Sequence, residues 1–256
     1  MKKLPVLFFA LFQLFNSAAN ASDLAKEQRW ADQVVDYIID GDAEWLAIKN
    51  HKILSIYTEA QAPKVNGGAI IIHGSGVHPN WEEVIQPLRT ALPEKGWSTL
   101  SIQMPVLAND ADYSEYAKTF DDVAPRINAA IKFLKQKNIN NIVIIAHSLG
   151  STMSAYYLSS DKNHSVKAFV AIGMPGASKD KRMNNINALR QINIPMLDLY
   201  GSNDLDSVIN SAEARKQSAA KNTHYSQVIT KGANHFFTGK NAELIQAVST
   251  WLNKNG

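Results

Sequence analysis

The chain has 256 residues, of which 45% are hydrophobic and 19% charged, with 13 glycines and 9 prolines. This composition excludes a disordered or repetitive protein and favours a globular domain with a sizeable core. The formal net charge is only +3, which argues against a nucleic acid or an anionic membrane as partner because no phosphate-neutralising face is available. The absence of cysteine excludes disulfides, thiolate catalysis and cysteine-ligated metals.

The N-terminus has the pattern of an export signal. Lys2 and Lys3 precede an apolar run of 12 residues, Leu4 to Phe15, and Ala19-Asn20-Ala21 is a small-x-small cleavage site. We therefore predict a signal peptide over residues 1–21, cut after Ala21, and a periplasmic or secreted mature protein. An uncleaved anchor is the alternative, but 12 helical residues span about 18 Å, well short of a roughly 30 Å hydrocarbon core.

Residues 22–256 are predicted to form a single domain that begins with a helix and a hairpin. Leu24 to about Ile39 carries apolar residues at helical spacing. Trp45–Ile48 and Ile53–Tyr57 follow as an antiparallel pair of strands.

From Lys64 onward, buried strands alternate with amphipathic helices, which is typical of a parallel sheet with crossover helices. Further strands are predicted at Ala69–Ile72, Ser98–Ile102, Ile142–Ala146, Ala168–Ile172, Met196–Tyr200 and Tyr225–Ile229. Helices are predicted at Trp81–Leu92, Tyr113–Gln136, Leu149–Leu158, Met183–Gln191, Ser207–Lys221 and Ala242–Leu252. The result is an α/β fold with an eight-stranded, mostly parallel sheet, helices on both faces and a ligand site at the carboxyl ends of the strands. The segment Met174–Lys181 is short, so we expect a minimal lid.

The strongest motif is Ala146-His147-Ser148-Leu149-Gly150, between the β-branched run Ile142–Ile145 and a predicted helix. It matches the nucleophile elbow, with alanine in place of the first glycine. Small residues two before and two after the serine relieve crowding in a strained turn that exposes the hydroxyl. This context favours Ser148 as a nucleophile over the alternative, an ordinary turn in which Ser148 caps the helix.

A serine nucleophile needs a base and a carboxylate that orients the base, and in this architecture they follow in the order acid, then histidine. Asp204 follows the seventh predicted strand and His235 follows the eighth. Asp206 is the alternative acid, although its position suits a turn or a helix cap better. The alternative for His235 is a polar loop residue.

The backbone donors of an oxyanion hole are predicted at two turns. One is the N–H of Leu149, at the head of the helix. The other lies in His73-Gly74-Ser75-Gly76, where glycines let the backbone approach a substrate; we assign it to Ser75, with Gly74 as the alternative. An ordinary glycine turn is the competing interpretation.

No metal or cofactor site is predicted. His73 and His78 have no third ligand nearby, and Asn109-Asp110-Ala111-Asp112 lacks the glycine and terminal glutamate of a calcium loop. His147 is expected to pack behind Ser148. Aromatic candidates for a substrate pocket are Trp81, Tyr113 and Phe236, each of which could equally belong to the core.

These motifs, namely His73–Gly76, Ala146–Gly150, Asp204 and His235, resemble those of the α/β-hydrolase superfamily over nearly the whole mature chain. More narrowly, the run from His73 to Trp81, with Gly96-Trp97 and Ser101 to Pro105, is similar to an exported bacterial branch known as a domain of unknown function. The superfamily resemblance implies acyl transfer to water through an acyl-serine intermediate. Ala146 departs from the usual glycine, as in some lipases.

The sequence therefore predicts a periplasmic serine hydrolase, most simply a monomer, that cleaves an ester or related acyl bond of a small molecule. Two alternatives remain open. A hydrolase-fold protein of the envelope can bind without turnover, and an amidase or peptidase can use the same three residues.

Overall fold

A computed structural model describes residues 22–256 of the chain. The predicted signal peptide and its cleavage site lie outside the described residues. Within residues 22–256, no helix combines the length and the apolar character needed to cross a membrane.

The described residues are built around an eight-stranded sheet with the order β1-β2-β4-β3-β5-β6-β7-β8. β1 pairs antiparallel with β2, β2 pairs antiparallel with β4, and the other neighbours are parallel. The strands are β1 Asp42–Ile48, β2 His51–Thr58, β3 Gly67–Ile72, β4 Trp97–Ile102, β5 Ile142–His147, β6 Val166–Ile172, β7 Met196–Asn203 and β8 Tyr225–Asn234. The predicted mostly parallel sheet is confirmed.

Helices cover both faces of the sheet because its central strands are apolar on both sides. Ile142 and Ile144 of β5 point to one apolar cluster, whereas Val143 and Ile145 point to the other. α3, α4 and α5 pack on the first face, and α2 and α8 pack on the second. The helices are α1 Leu24–Val35, α2 Ile85–Ala91, α3 Val123–Gln136, α4 Leu149–Ser160, α5 Asn185–Leu189, α6 Asp206–Ile209, α7 Ala212–Ser218 and α8 Asn241–Asn255.

Two predicted helices begin later than expected, and a proline explains each. The helix predicted from Trp81 begins at Ile85, two residues before Pro87. The helix predicted from Tyr113 is a 3₁₀ segment up to Asp122 and becomes α-helical only at Val123, two residues before Pro125. A proline ring clashes with the carbonyl four residues earlier in an α-helix, so neither helix can extend further towards its N-terminus.

Three other predicted helices are shorter or divided. α1 ends at Val35 rather than near Ile39, and α5 covers only Asn185–Leu189 of the predicted Met183–Gln191. The predicted helix Ser207–Lys221 is divided into α6 and α7. Ser211 lies where the two helices are divided, and its hydroxyl donates to the carbonyl of Ser207. Such side-chain hydrogen bonds compete with the backbone hydrogen bonds of a helix, which makes serine a weak helix former.

β8 is longer than the predicted Tyr225–Ile229. It continues to Asn234 after an irregularity in its pairing with β7, and Asn203 of β7 lies opposite Asn234 of β8. Two neighbouring strands therefore end side by side. Asp204 and His235 are the next residues of their strands, so the pairing brings them together.

Candidate active site

Ser148 lies in the sharp turn between β5 and α4. Its backbone has φ +53° and ψ −119°, a conformation that L-residues rarely adopt. The Ser148 N–H donates to the carbonyl of Ile172 in β6 at 2.8 Å, which fastens the turn to the sheet. A Cβ atom on Gly150 would lie 2.4 Å from the carbonyl oxygen of His73, so only glycine fits there. The predicted strained turn is present.

A continuous chain of hydrogen bonds links Ser148, His235 and Asp204. His235 Nε2 lies 2.9 Å from Ser148 Oγ, and His235 Nδ1 lies 2.6 Å from Asp204 Oδ1. Asp206 instead lies in the first turn of α6. The structure thus brings Asp204, and not Asp206, to the imidazole.

The Asp204 carboxylate is held in its charged form. Burial raises its pKa, but the hydrogen bond and charge of His235 and the N–H groups of Leu205 and Gly201 lower it more, so the pKa lies below the ordinary value. The Leu205 N–H donates at 2.7 Å and the Gly201 N–H at 3.3 Å. A buried carboxylate with these donors can fix the tautomer of His235 and stabilise its imidazolium form.

Gly173, just after β6, makes room for the imidazole. It has φ +60°, and a Cβ atom there would lie 2.9 Å from His235 Cε1. Any side chain would therefore displace the ring. Nothing in the local sequence around Gly173 marks this role, because the contact joins strand ends that are distant in sequence.

His147 has a more specific contact than packing behind the serine. Its Nε2 lies 2.9 Å from the backbone carbonyl of His235, and the two rings are 4.8 Å apart. Burial is the main cause that lowers the pKa of His147 to about 4, so the ring is neutral at pH 7 and its Nε2–H donates to that carbonyl. His147 therefore holds the backbone of His235 from the nucleophile turn itself.

His73 holds the loop that follows β3. Its Nε2 accepts from the N–H of Met104 at 2.9 Å, so the proton is on Nδ1, which donates to the Gly74 carbonyl at 2.8 Å. Burial lowers the pKa of His73 to about 3, which keeps this neutral tautomer. The role of His73 was not predicted from the sequence.

The hydrogen bond from His73 to the Gly74 carbonyl orients the next peptide group, which carries the N–H of Ser75. In a trans peptide the carbonyl and the following N–H point in opposite directions. The Gly74 carbonyl faces the buried His73 ring, so the Ser75 N–H points away from that ring. Ser75 lines a cavity together with Ser148. Leu149 begins α4, and the first N–H of a helix has no acceptor within it.

A cavity of about 500 Å³ opens above Ser148. Its walls are mainly apolar, and Trp81, Tyr113 and Phe236 all line it, as predicted for pocket residues. The Tyr113 hydroxyl lies 3.2 Å from Thr152 Oγ1, one turn beyond the nucleophile on α4. Over residues 22–256, no cluster of three or more histidine or acidic residues could hold a metal ion.

A buried ion pair supports one wall of this cavity. Arg215 Nε donates to Asp198 Oδ2 at 2.8 Å, and both side chains are fully buried. Arg215 Nη1 also donates to the carbonyl of Val208 at 2.7 Å, and Val208 lines the cavity. The Tyr225 hydroxyl donates to the same Asp198 oxygen. This network, which the sequence analysis did not identify, fixes α6 and α7 to β7.

The fold is shared with several hydrolases of known structure. Est1E from Butyrivibrio proteoclasticus superposes with a TM-score of 0.64 at 15% identity, over 84% of this chain and 99% of that chain. An α/β serine hydrolase homologue from Coxiella burnetii gives 0.66 at 17% identity, over 84% and 98%. A dienelactone hydrolase from Anabaena variabilis gives 0.65 at 20% identity, also over 84% and 98%.

Comparison by sequence identifies a family rather than a characterised relative. No curated protein matches the chain. The family model described as "Protein of unknown function (DUF3530)" matches residues 16–119 and 107–254. The protein therefore belongs to the DUF3530 family and has the α/β-hydrolase fold.

Proposed function

We propose that the protein is a serine hydrolase that cleaves a carboxylic ester through an acyl-serine intermediate. The observation that carries the proposal is the unbroken contact from Ser148 Oγ to His235 Nε2 and from His235 Nδ1 to Asp204. Its support is geometric, because a nucleophile, a base and an orienting carboxylate lie within hydrogen-bond reach in the order that acyl transfer requires.

In the proposed reaction, Ser148 Oγ attacks the acyl carbon while its proton passes to His235 Nε2. The carbonyl oxygen becomes an oxyanion, which accepts hydrogen bonds from the N–H groups of Ser75 and Leu149. His235 then returns the proton to the departing alcohol, and the acyl group stays on Ser148. A water molecule activated by His235 attacks the acyl-serine and releases the acid.

An ester fits the cavity better than a peptide. Its mainly apolar walls suit an acyl or aryl group, whereas a peptide needs a surface that pairs with its amide groups. The structural neighbours include a dienelactone hydrolase, a name that refers to a cyclic ester. An amidase and a non-catalytic binding protein remain the competing functions.

The test is turnover of p-nitrophenyl esters of graded acyl length by the mature protein and by Ser148→Ala. We expect Ser148→Ala to lose on the order of 10⁶-fold in kcat. Labelling by a fluorophosphonate should occur in the parent protein and be abolished in the variant. Equal turnover in both proteins would refute the proposal, and peptide amides cleaved faster than esters would favour the amidase.

We also propose export to the periplasm, supported by the basic, apolar and small-residue pattern of residues 2–21. Fractionation of a Gram-negative host that expresses the whole chain tests this. The expected periplasmic product begins at Ser22, and an uncut product held in the membrane would contradict cleavage.

A further inference from the structure

A second cavity, of about 420 Å³, adjoins the cavity above Ser148. It lies between α1 and the segment that leads into α2, and Trp81 lines both cavities. We call it the α1 pocket. Its lining residues are mostly aromatic or uncharged polar (Trp30, Gln33, Tyr37, His78, Asn80 and Gln86), and Glu82 adds a carboxylate.

One continuous segment connects the two cavities. Gly74, Ser75 and Val77 line the cavity above Ser148, and His78, Asn80 and Trp81 follow directly and line the α1 pocket. The proposed oxyanion donor and the α1 pocket are thus only a few residues apart. Trp81 is thus the wall that the two cavities share, and a substrate whose carbonyl oxygen lies at Ser75 has to pass this side chain to reach the α1 pocket.

Aromatic rings form a row towards the active site. The His78 ring lies 5.8 Å from Trp30 and 5.7 Å from Trp81, edge-on to each. The Asn80 N–H donates to His78 Nδ1 at 3.2 Å, and burial lowers the pKa of His78. The neutral ring therefore carries its proton on Nε2, which is free to donate to a ligand.

Three polar side chains of the α1 pocket are also free, whereas the Asn80 side chain accepts from Arg89 Nη2 at 2.8 Å. Within residues 22–256, the side chains of Gln33, Glu82 and Gln86 make no hydrogen bond to the protein. Amides supply donors and acceptors together. This mixture matches groups that both donate and accept, which is the property of hydroxyls.

Charge argues against an anionic ligand, because Glu82 is the charged residue that lines the α1 pocket. No lysine or arginine of the described chain lines the α1 pocket, so a phosphate or carboxylate would have no counter-charge. The Lys26 ammonium already lies 4.6 Å from the centre of the Trp30 ring, so it would repel a second cation at this ring. Lys26 itself donates to the carbonyl of Leu107 at 2.7 Å.

We propose that the α1 pocket binds a neutral saccharide, so that the enzyme removes acyl groups from sugar hydroxyls. A sugar ring offers apolar C–H faces for aromatic side chains such as Trp30 and Trp81, and a rim of hydroxyls for Gln33, Gln86 and His78. The acyl group then occupies the apolar cavity above Ser148. This inference rests on the proposed ester hydrolysis and names the class of alcohol released.

The experiment compares kcat/KM for alcohols that carry the same acetyl group. The substrates are the 6-O-acetyl esters of glucose, galactose and N-acetylglucosamine, n-butyl acetate as the neutral apolar reference and acetylcholine as the cationic one. We expect at least one sugar ester to exceed n-butyl acetate about tenfold or more, as two or three hydrogen bonds would provide. Acetylcholine should show no such advantage.

Substitutions on α1 test whether the preference for sugar esters depends on the α1 pocket. Trp30→Ala and Gln33→Ala should reduce the ratio of sugar ester to n-butyl acetate about three- to tenfold, whereas Trp30→Phe should retain most of it. Gln28→Ala is the matched control, because Gln28 lies on the same helix, donates its side-chain hydrogen bond to Asp32 and lines neither the α1 pocket nor the cavity above Ser148. It should leave both rates unchanged. Turnover of n-butyl acetate reports whether each variant is folded.

The possible failures are distinguishable. If n-butyl acetate is hydrolysed only when Ser148 is present but no sugar ester is preferred, the saccharide inference is wrong and the proposed function stands. A preference for acetylcholine, or a ratio unaffected by Trp30→Ala, also overturns the inference. Turnover that survives Ser148→Ala contradicts the proposed function itself.

Discussion

Replacement of His73 by asparagine or by glutamine separates the hydrogen bonds made by its two ring nitrogens. Nδ1 donates to the Gly74 carbonyl, and Nε2 accepts from the Met104 N–H. An asparagine amide reaches the position of Nδ1, whereas a glutamine amide reaches that of Nε2. His73→Asn therefore keeps the hydrogen bond to the Gly74 carbonyl, which orients the Gly74–Ser75 peptide, and His73→Gln loses it.

The expected magnitude follows from the role of one oxyanion donor. Loss of such a donor typically costs about 10²–10³ in kcat. Because the Gly74–Ser75 peptide still samples the productive direction, we expect His73→Gln to lose about 10²-fold and His73→Asn about tenfold or less, each relative to the parent. KM should change little in either, because the interaction strengthens in the transition state.

Steady-state hydrolysis of p-nitrophenyl acetate, with unfolding in urea as the control, provides the assay. His73→Gln loses the donor to the Gly74 carbonyl, and His73→Asn loses the acceptor that faces the Met104 N–H and the Gln103 amide. Both variants should therefore be destabilised, by about 1–3 kcal/mol. We therefore expect unequal activity in two variants of similar stability. Equal kcat values in the two variants would refute the idea that His73 directs the Ser75 N–H.

Three further predictions concern the acid of the triad, the buried histidines and the buried ion pair. Asp204→Asn should lower kcat for p-nitrophenyl acetate about 10⁴-fold. Asp206→Asn should have little effect on the same turnover, because Asp206 lies on α6. The reverse result would assign the acid to Asp206. Burial lowers the pKa of His73 to about 3 and that of His147 to about 4, below the ordinary 6.5. Below pH 6.5 the unfolded chain therefore binds more protons than the folded protein, and stability falls as the pH falls. The expected loss is up to about 1.4 kcal/mol per pH unit for each histidine. Urea unfolding between pH 7 and pH 5 should show this slope, and an unchanged slope in His147→Gln would contradict it. Asp198→Ala leaves the Arg215 charge buried without its partner and should cost about 3–5 kcal/mol of unfolding free energy; a loss below 1 kcal/mol would show that water or a neighbour replaces the carboxylate.

The strands and the residues that meet in the candidate site could be predicted from the sequence because local patterns determine them. β5 is a continuous apolar run, and its turn into α4 requires small residues at Ala146 and Gly150. Asp204 and His235 each follow a strand, and parallel strands end at one edge of the sheet. Chain order and strand ends were therefore sufficient to predict which residues would meet.

The supporting contacts could not be predicted in this way. The role of His73 depends on which ring nitrogen carries the proton, and that follows from Met104, which lies 31 residues away. Gly173 leaves space for the imidazole of His235, which follows a different strand. Likewise, the α1 pocket is formed only when α1 packs beside the segment around His78. Such properties arise from packing between elements, and hydrophobic periodicity carries no information about them.

The two neutral histidines connect the proposed chemistry to the stability of the fold. His73 and His147 each donate to a backbone carbonyl, of Gly74 and of His235, and thereby fix an oxyanion donor and the base. Protonated His73 could no longer accept from the Met104 N–H, so in acid the ring must leave its site or the loop must open. The arrangement that orients the reacting groups therefore exists only while both rings stay neutral. Activity in acid should then be lost together with local order around Gly74, and not only through protonation of the catalytic base.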